Sequence, residues 1–126
     1  MEKKIIITPD APQPIGPYNQ AVLVDNTLYC SGQIAIDVTT GDMEQDSIET
    51  ETHQVMKNVG AVLKAAGMDY SNIVKTSIFI TDMGQFARIN QVYATYFEKD
   101  FPARETVQVS RLPKDANVEI SVVAVK

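Results

Sequence analysis

Apolar positions change their spacing several times along this chain, and each change marks an element. Ala21-Val22-Leu23-Val24 and Thr27-Leu28-Tyr29-Cys30 are short β-prone runs with only Asp25-Asn26 between them, which predicts a tight hairpin. Val55, Met56, Val59, Val62, Leu63 and Ala66 recur at three- and four-residue steps, the stripe of a helix over residues 48–66. Asp46 followed by Glu49 resembles a capping box at its start, and Gly67 suits a left-handed cap at its end. A strand is expected from Ile73 to Thr81. A second amphipathic helix is expected from about Gly84 to Glu98, with Phe86, Ile89, Val92, Tyr93, Tyr96 and Phe97 as its stripe. Two last strands, about Arg104 to Ser110 and Val118 to Val125, flank Arg111-Leu112-Pro113-Lys114-Asp115-Ala116-Asn117.

With an N-terminal strand in front, the order is strand, hairpin, helix, strand, helix, strand, strand. That order predicts an α+β sandwich over residues 1–126: one domain, with a mixed sheet of about six strands and two helices on one face. Two helices cannot cover both faces. On the last strand Val118, Ile120, Val122 and Ala124 share one side, while Glu119, Ser121, Val123 and Val125 share the other. The second side is mixed rather than cleanly polar. Its apolar part needs a cover, for which another copy of the chain is the simplest candidate, so a homo-oligomer is expected.

Composition narrows the function more than the fold. Hydrophobic residues make up 44% and charged residues 21%, ordinary values for a globular chain of 126 residues. Apolar runs of only a few residues exclude a membrane span, and Ile5-Ile6-Ile7 is too short for the core of a secretory signal. The single cysteine, Cys30, forms no intrachain disulfide, and a cytoplasmic location is expected. Sixteen Asp and Glu against 11 Lys and Arg give a net charge of −5, which argues against nucleic-acid partners. No phosphate-binding loop, dinucleotide fingerprint, metal-ligand spacing or Gly-x-Ser-x-Gly elbow occurs, so no cofactor is expected. Pro9, Pro12, Pro14 and Pro17 make the N-terminal stretch a stiff, extended loop.

A few residues stand out against this background. Arg104 follows Pro102-Ala103 at the start of a strand. Most arginines are solvated or form weak surface ion pairs, but this rigid lead-in would hold a planar fork that matches a carboxylate bidentately. Glu119 lies between Val118 and Ile120 and has two readings of equal weight. One is a rim carboxylate paired with Lys75 or an arginine; the other is a partly buried carboxylate whose raised pKa manages a water's proton. Asn90 falls within the stripe of the second helix, where its amide must be satisfied by a nearby loop backbone or by a ligand. Ser31-Gly32-Gln33 closes a strand and permits close backbone approach, though no base is visible to make Ser31 a nucleophile. Tyr18, on the stiff loop, suits the wall of a pocket or an interface. His53 reads as a surface residue of the first helix, and Cys30 as a buried, inert thiol.

In order and spacing these segments resemble the RidA family, the reactive intermediate deaminases also called YjgF proteins. The resemblance runs through Ile15-Gly16-Pro17-Tyr18, Ser31-Gly32-Gln33, Ala65-Ala66-Gly67, Val74-Lys75-Thr76 and Asn90. It continues with Phe101-Pro102-Ala103-Arg104, Arg111-Leu112-Pro113-Lys114-Asp115 and Val118-Glu119-Ile120. It implies a chorismate-mutase-like fold and a homotrimer around a central barrel, with a site in each cleft between subunits. It also implies that Arg104 clamps the carboxylate of a 2-imino acid such as 2-iminopropanoate or 2-iminobutanoate, and that Glu119 positions or activates the attacking water. Tyr18, Ser31, Gly32 and Asn90 would shape the pocket. Two positions depart from the family's usual pattern: Thr106 stands where many members have cysteine, and Glu105 where a small residue is common. Thr106 is expected on Arg104's face, lining the pocket, and Glu105 on the opposite face.

The expected reaction is hydrolysis of a C=N bond to a 2-keto acid and ammonia. A rival from another class is a regulatory protein that binds 2-keto or amino acids through the same arginine without turnover, and so without need of Glu119. A third, ribonuclease or translation inhibitor, has been attributed to some relatives and is opposed by the acidic balance.

Overall fold

A computed structural model describes residues Met1–Lys126. Six strands form one sheet in the order β1-β2-β3-β6-β4-β5: β1 Lys3–Ile6, β2 Ala21–Val24, β3 Thr27–Cys30, β4 Ile73–Ile80, β5 Ala103–Gln108 and β6 Val118–Val125. Helices α1 (Ile48–Ala65) and α2 (Phe86–Ala94) complete the α+β architecture. All neighbouring strands are antiparallel except β4 and β5, which run parallel because α2 carries the chain back between them.

The helices cover one face. Val55, Met56, Val59, Val62 and Leu63 of α1 meet Ile78 and Ile80 of β4 and Ile120, Val122 and Ala124 of β6 in the main core. Register places the alternate positions together on the other face: Glu119 opposite Phe79, Ser121 opposite Ser77, and Val123 opposite both Lys75 and Tyr29. Tyr29 remains 53% exposed and Val107 41%. This is the mixed, uncovered face that the alternation along β6 predicts.

The hairpin forms as expected, with Asp25 taking a left-handed φ of 52° at the turn. Two helix ends differ from expectation. Helix α1 is capped by Ser47, not Asp46: Ser47 Oγ accepts from Thr50 N–H at 3.1 Å, and Thr50 Oγ1 accepts from Ser47 N–H at 3.1 Å. Glu49 is thereby free to take a bidentate pair with Arg88 of α2, both contacts at 2.7 Å, which ties the two helices together. Gly67 ends α1 as expected, with φ of 73° and Met68 N–H returning to Leu63 C=O at 2.9 Å. Helix α2 stops at Ala94, four residues before its expected end. Thr95 Oγ1 donates to the Val92 carbonyl at 2.6 Å, and the next amides tighten to i−3 partners, which unwinds the helix while Tyr96 and Phe97 still reach the core.

Candidate functional site

The proline-rich loop is held by one buried side chain. Gln20 Oε1 accepts from Thr8 N–H at 2.7 Å, while its Nε2 donates to the carbonyls of Thr8, Ala11 and Pro12 at 3.0, 3.2 and 2.9 Å. The loop so fixed stands over the end of β3 and encloses a cleft of about 370 Å³ lined by Pro12, Gln13, Ile15, Tyr18, Gln20, Ser31, Gly32, Gln33, Ile34, Ile36, Pro113 and Glu119. Three of the residues singled out in the sequence, Tyr18, Ser31 and Gly32, therefore meet Glu119 here. Tyr18 Oη accepts from Ile15 N–H at 3.3 Å, which orients the ring. The Ser31 hydroxyl donates to Asn19 C=O at 2.6 Å, so its proton is committed to the scaffold.

Glu119 is half-buried, and burial holds its carboxyl above the ordinary carboxylate range. Neither Lys75 nor an arginine pairs with it; Lys75 meets Glu105 instead, Nζ to Oε1 at 2.7 Å. Ser77 also donates to Glu105, and these two neighbours hold the Glu105 carboxyl below its usual range. Glu105 thus points to the uncovered face, away from Arg104, as the alternation along β5 predicts.

Arg104 lies in a second, smaller hollow of about 280 Å³ lined by Asn90, Tyr93, Ala94, Phe101, Pro102 and Arg104 itself. Its Nη1 donates to Asn90 Oδ1 at 2.7 Å, and its guanidinium carbon stands 5.6 Å from the Phe86 ring centre and 5.3 Å from that of Tyr93. No carboxylate meets this arginine. Asn90 therefore spends its amide oxygen on Arg104 rather than on a loop backbone, and so orients the guanidinium. Tyr93 in turn donates its hydroxyl to Thr76 Oγ1 at 3.0 Å, fixing the ring on which Arg104 rests.

Thr106 shares Arg104's face, with Ile78 opposite it in the register, and lines neither hollow of the single chain. Its Oγ1 is enclosed and has no partner within the chain. Cys30 is buried, and burial pushes its thiol up to about 12, as befits an inert side chain. His53 is exposed on α1, with Nδ1 2.8 Å from the Tyr96 hydroxyl. No group of three or more His, Cys, Asp or Glu side chains converges to hold a metal.

The two hollows open on different sides of the sheet. Arg104 is in register with Thr76, on the helix side; Glu119 is in register with Phe79, on the uncovered side. Within one chain they cannot grip one small molecule. Comparison with known proteins places the arrangement in a family. Residues 8–126 match the family described as Endoribonuclease L-PSP, and a solved Yersinia pestis protein of the conserved Rid family superposes with a TM-score of 0.96 at 50% identity over 99% of this chain and 100% of its own. The chain belongs to the Rid (YjgF) family. A human relative named 2-iminobutanoate/2-iminopropanoate deaminase is 45% identical over 98% of this chain and 90% of its own length. Escherichia coli TdcF, solved with bound serine, has a TM-score of 0.94 at 41% identity over 98% of both chains.

The sequence marks Tyr18, Ser31, Gly32 and Glu119 of one hollow and Asn90 and Arg104 of the other, but not the polar side chains Gln13 and Gln20 beside the first group. Ile34 and Ile36 show no local signal, because each reaches the cleft only through the fold. A glutamine closely following a proline-rich loop is the one hint that was available.

Proposed function

We propose that this Rid protein is a hydrolytic deaminase of short 2-imino acids such as 2-iminobutanoate and 2-iminopropanoate. One observation carries the reading: an arginine with no carboxylate partner and a half-buried, unpaired glutamate, in a chain sharing 45% identity with a human deaminase of that name. Arg104, stacked on two aromatic rings and turned by Asn90, binds the substrate carboxylate through its remaining N–H donors. Glu119 accepts a proton from water as that water attacks the imine carbon. Glu119 passes that proton to the imine nitrogen to give the carbinolamine, then takes the proton of its hydroxyl and delivers it to nitrogen as the C–N bond breaks, releasing ammonia and the 2-keto acid. Such imines hydrolyse unaided in water, so positioning and proton transfer supply the modest acceleration required.

The same reading assembles the site from two copies of the chain in a homotrimer. It is supported by the placement of Arg104 and Glu119 on opposite sheet faces and by the uncovered apolar positions Tyr29, Val107 and Val123. Closing a ring of copies brings one chain's arginine toward the next chain's carboxylate. The protein works in the cytoplasm, where its lone thiol stays reduced. The Glu119 cleft contains a carboxylate and no lysine or arginine, which suits a small neutral imine group better than a phosphodiester backbone.

A competition assay tests the activity. A pyridoxal-phosphate-dependent dehydratase acting on threonine releases 2-iminobutanoate, which semicarbazide traps unless it is hydrolysed first. Addition of the Rid protein should raise the yield of keto acid, and the Arg104→Ala variant should not. Binding of 2-ketobutyrate with no acceleration by the folded wild type would favour the regulatory reading instead.

A further inference from the structure

Helix α1 carries a carboxylate that the reaction does not use. Glu51 is 1% exposed and forms no ion pair. A buried carboxylate persists only where donors surround it, and those of Glu51 come from outside its helix. Asn117 N–H donates to Oε2 at 2.8 Å and Asn117 Nδ2 to Oε1 at 2.8 Å. Gln45 Nε2 bridges Oε2, at 3.3 Å, to the carbonyl of Asp115, at 3.1 Å.

Asn117 ends a segment that needs holding. Lys114 and Asp115 take successive left-handed φ values of 55° and 52°, a conformation that side chains other than glycine enter at a cost. The Arg111–Asp115 ion pair across the segment is 78% and 74% exposed and holds it weakly. Pro113 of the same segment lines the Glu119 cleft, and Glu119 itself follows Asn117 by two residues. A carboxylate rooted in the most deeply packed helix thus grips the residue from which both the cleft wall and Glu119 depart.

We propose that Glu51 is a positioning residue for imine hydrolysis: by holding Asn117 it fixes the strained 111–117 segment, and with it the carboxylate of Glu119. This inference rests on the deaminase reading above.

The test compares Glu51→Leu with Glu51→Gln in the full-length protein, well below either unfolding midpoint. The glutamine carbonyl still accepts from Asn117 N–H, and the Asn117 amide can turn to accept from glutamine and donate to Thr81 Oγ1, its neighbour at 3.4 Å. Glu51→Leu should lower kcat about tenfold or more with KM little changed, because Arg104 stands on another strand. It should also speed hydrogen exchange of the amides of 112–117. Glu51→Gln should restore both. If Glu51→Leu fails to fold, Asn117→Ala, which removes the side-chain contacts to Glu51 and Thr81 from a half-buried position but keeps the backbone N–H donated to Glu51, should lower kcat about threefold. Wild-type kcat in the folded Leu or Ala variant, even with a lowered midpoint, would overturn the proposal and leave the deaminase reading intact. A wild type without imine hydrolysis would overturn both.

Discussion

A Cβ on Gly32 would lie 2.5 Å from Oε2 of Glu119 and 2.8 Å from its Cδ, so the carboxylate takes the space that a side chain at the strand end would need. The atoms in the way are the far end of a flexible side chain, and they can move. Gly32→Ala should therefore leave the unfolding midpoint near wild type while turning Glu119 away from its water. A displacement of about 1 Å costs on the order of 100-fold in rate, and kcat should fall by about that factor. Steady-state kinetics beside a thermal melt separates the two effects; a large loss of stability with unchanged kcat would contradict this account.

Asn90→Ala removes the acceptor that turns the guanidinium of Arg104, 2.7 Å away, but leaves the Phe86 and Tyr93 rings beneath it. Hydrogen bonds to charged groups contribute about 1.5–3 kcal/mol, so KM should rise about tenfold or more with a smaller change in kcat. A variant with wild-type KM would show that stacking alone orients the arginine.

Much of this was legible because strand and helix periods differ. Alternation along Val118–Val125 announced a covered and an uncovered face, and the same alternation put Thr106 with Arg104 and Glu105 opposite. The Pro102-Ala103 lead-in and the polar Asn90 in an apolar stripe marked the arginine hollow. What stayed hidden depends on partners remote in sequence. Nothing local told that Asn90 would accept from Arg104 rather than from a loop, or that Lys75 would choose Glu105 over Glu119. The end of α2 was missed because the Thr95 hydroxyl competes for a backbone carbonyl, which hydrophobic periodicity does not register. At the start of α1, two adjacent polar residues can each cap, and Ser47 prevails while Glu49 pairs with Arg88 on the other helix.

Burial raises the Glu119 pKa in the folded state, which fixes the sign of its effect on stability. The folded protein holds that proton more tightly than the unfolded chain, whose glutamates titrate near about 4.3. The favourable contribution is complete below that value and is lost as pH rises through the raised folded pKa. Glu119→Gln cannot lose it. The variant should gain stability over wild type as pH climbs from about 4 toward neutrality, then hold a constant advantage. Urea midpoints at a series of pH values measure this; an advantage that grows toward acid would reverse the sign and contradict the burial of Glu119.

The most direct measurement mixes two inactive variants. Arg104→Ala and Glu119→Gln chains, each without imine hydrolysis alone, are unfolded together, refolded at equal concentration and assayed. If each site takes its arginine from one copy and its glutamate from another, random assortment around a closed ring restores about a quarter of the sites, and keto acid release should recover to about that fraction of wild type. Mixed oligomers that form, shown by mass spectrometry of tagged chains, yet remain inactive would mean that Arg104 and Glu119 do not meet across copies, and the two-copy site would be wrong.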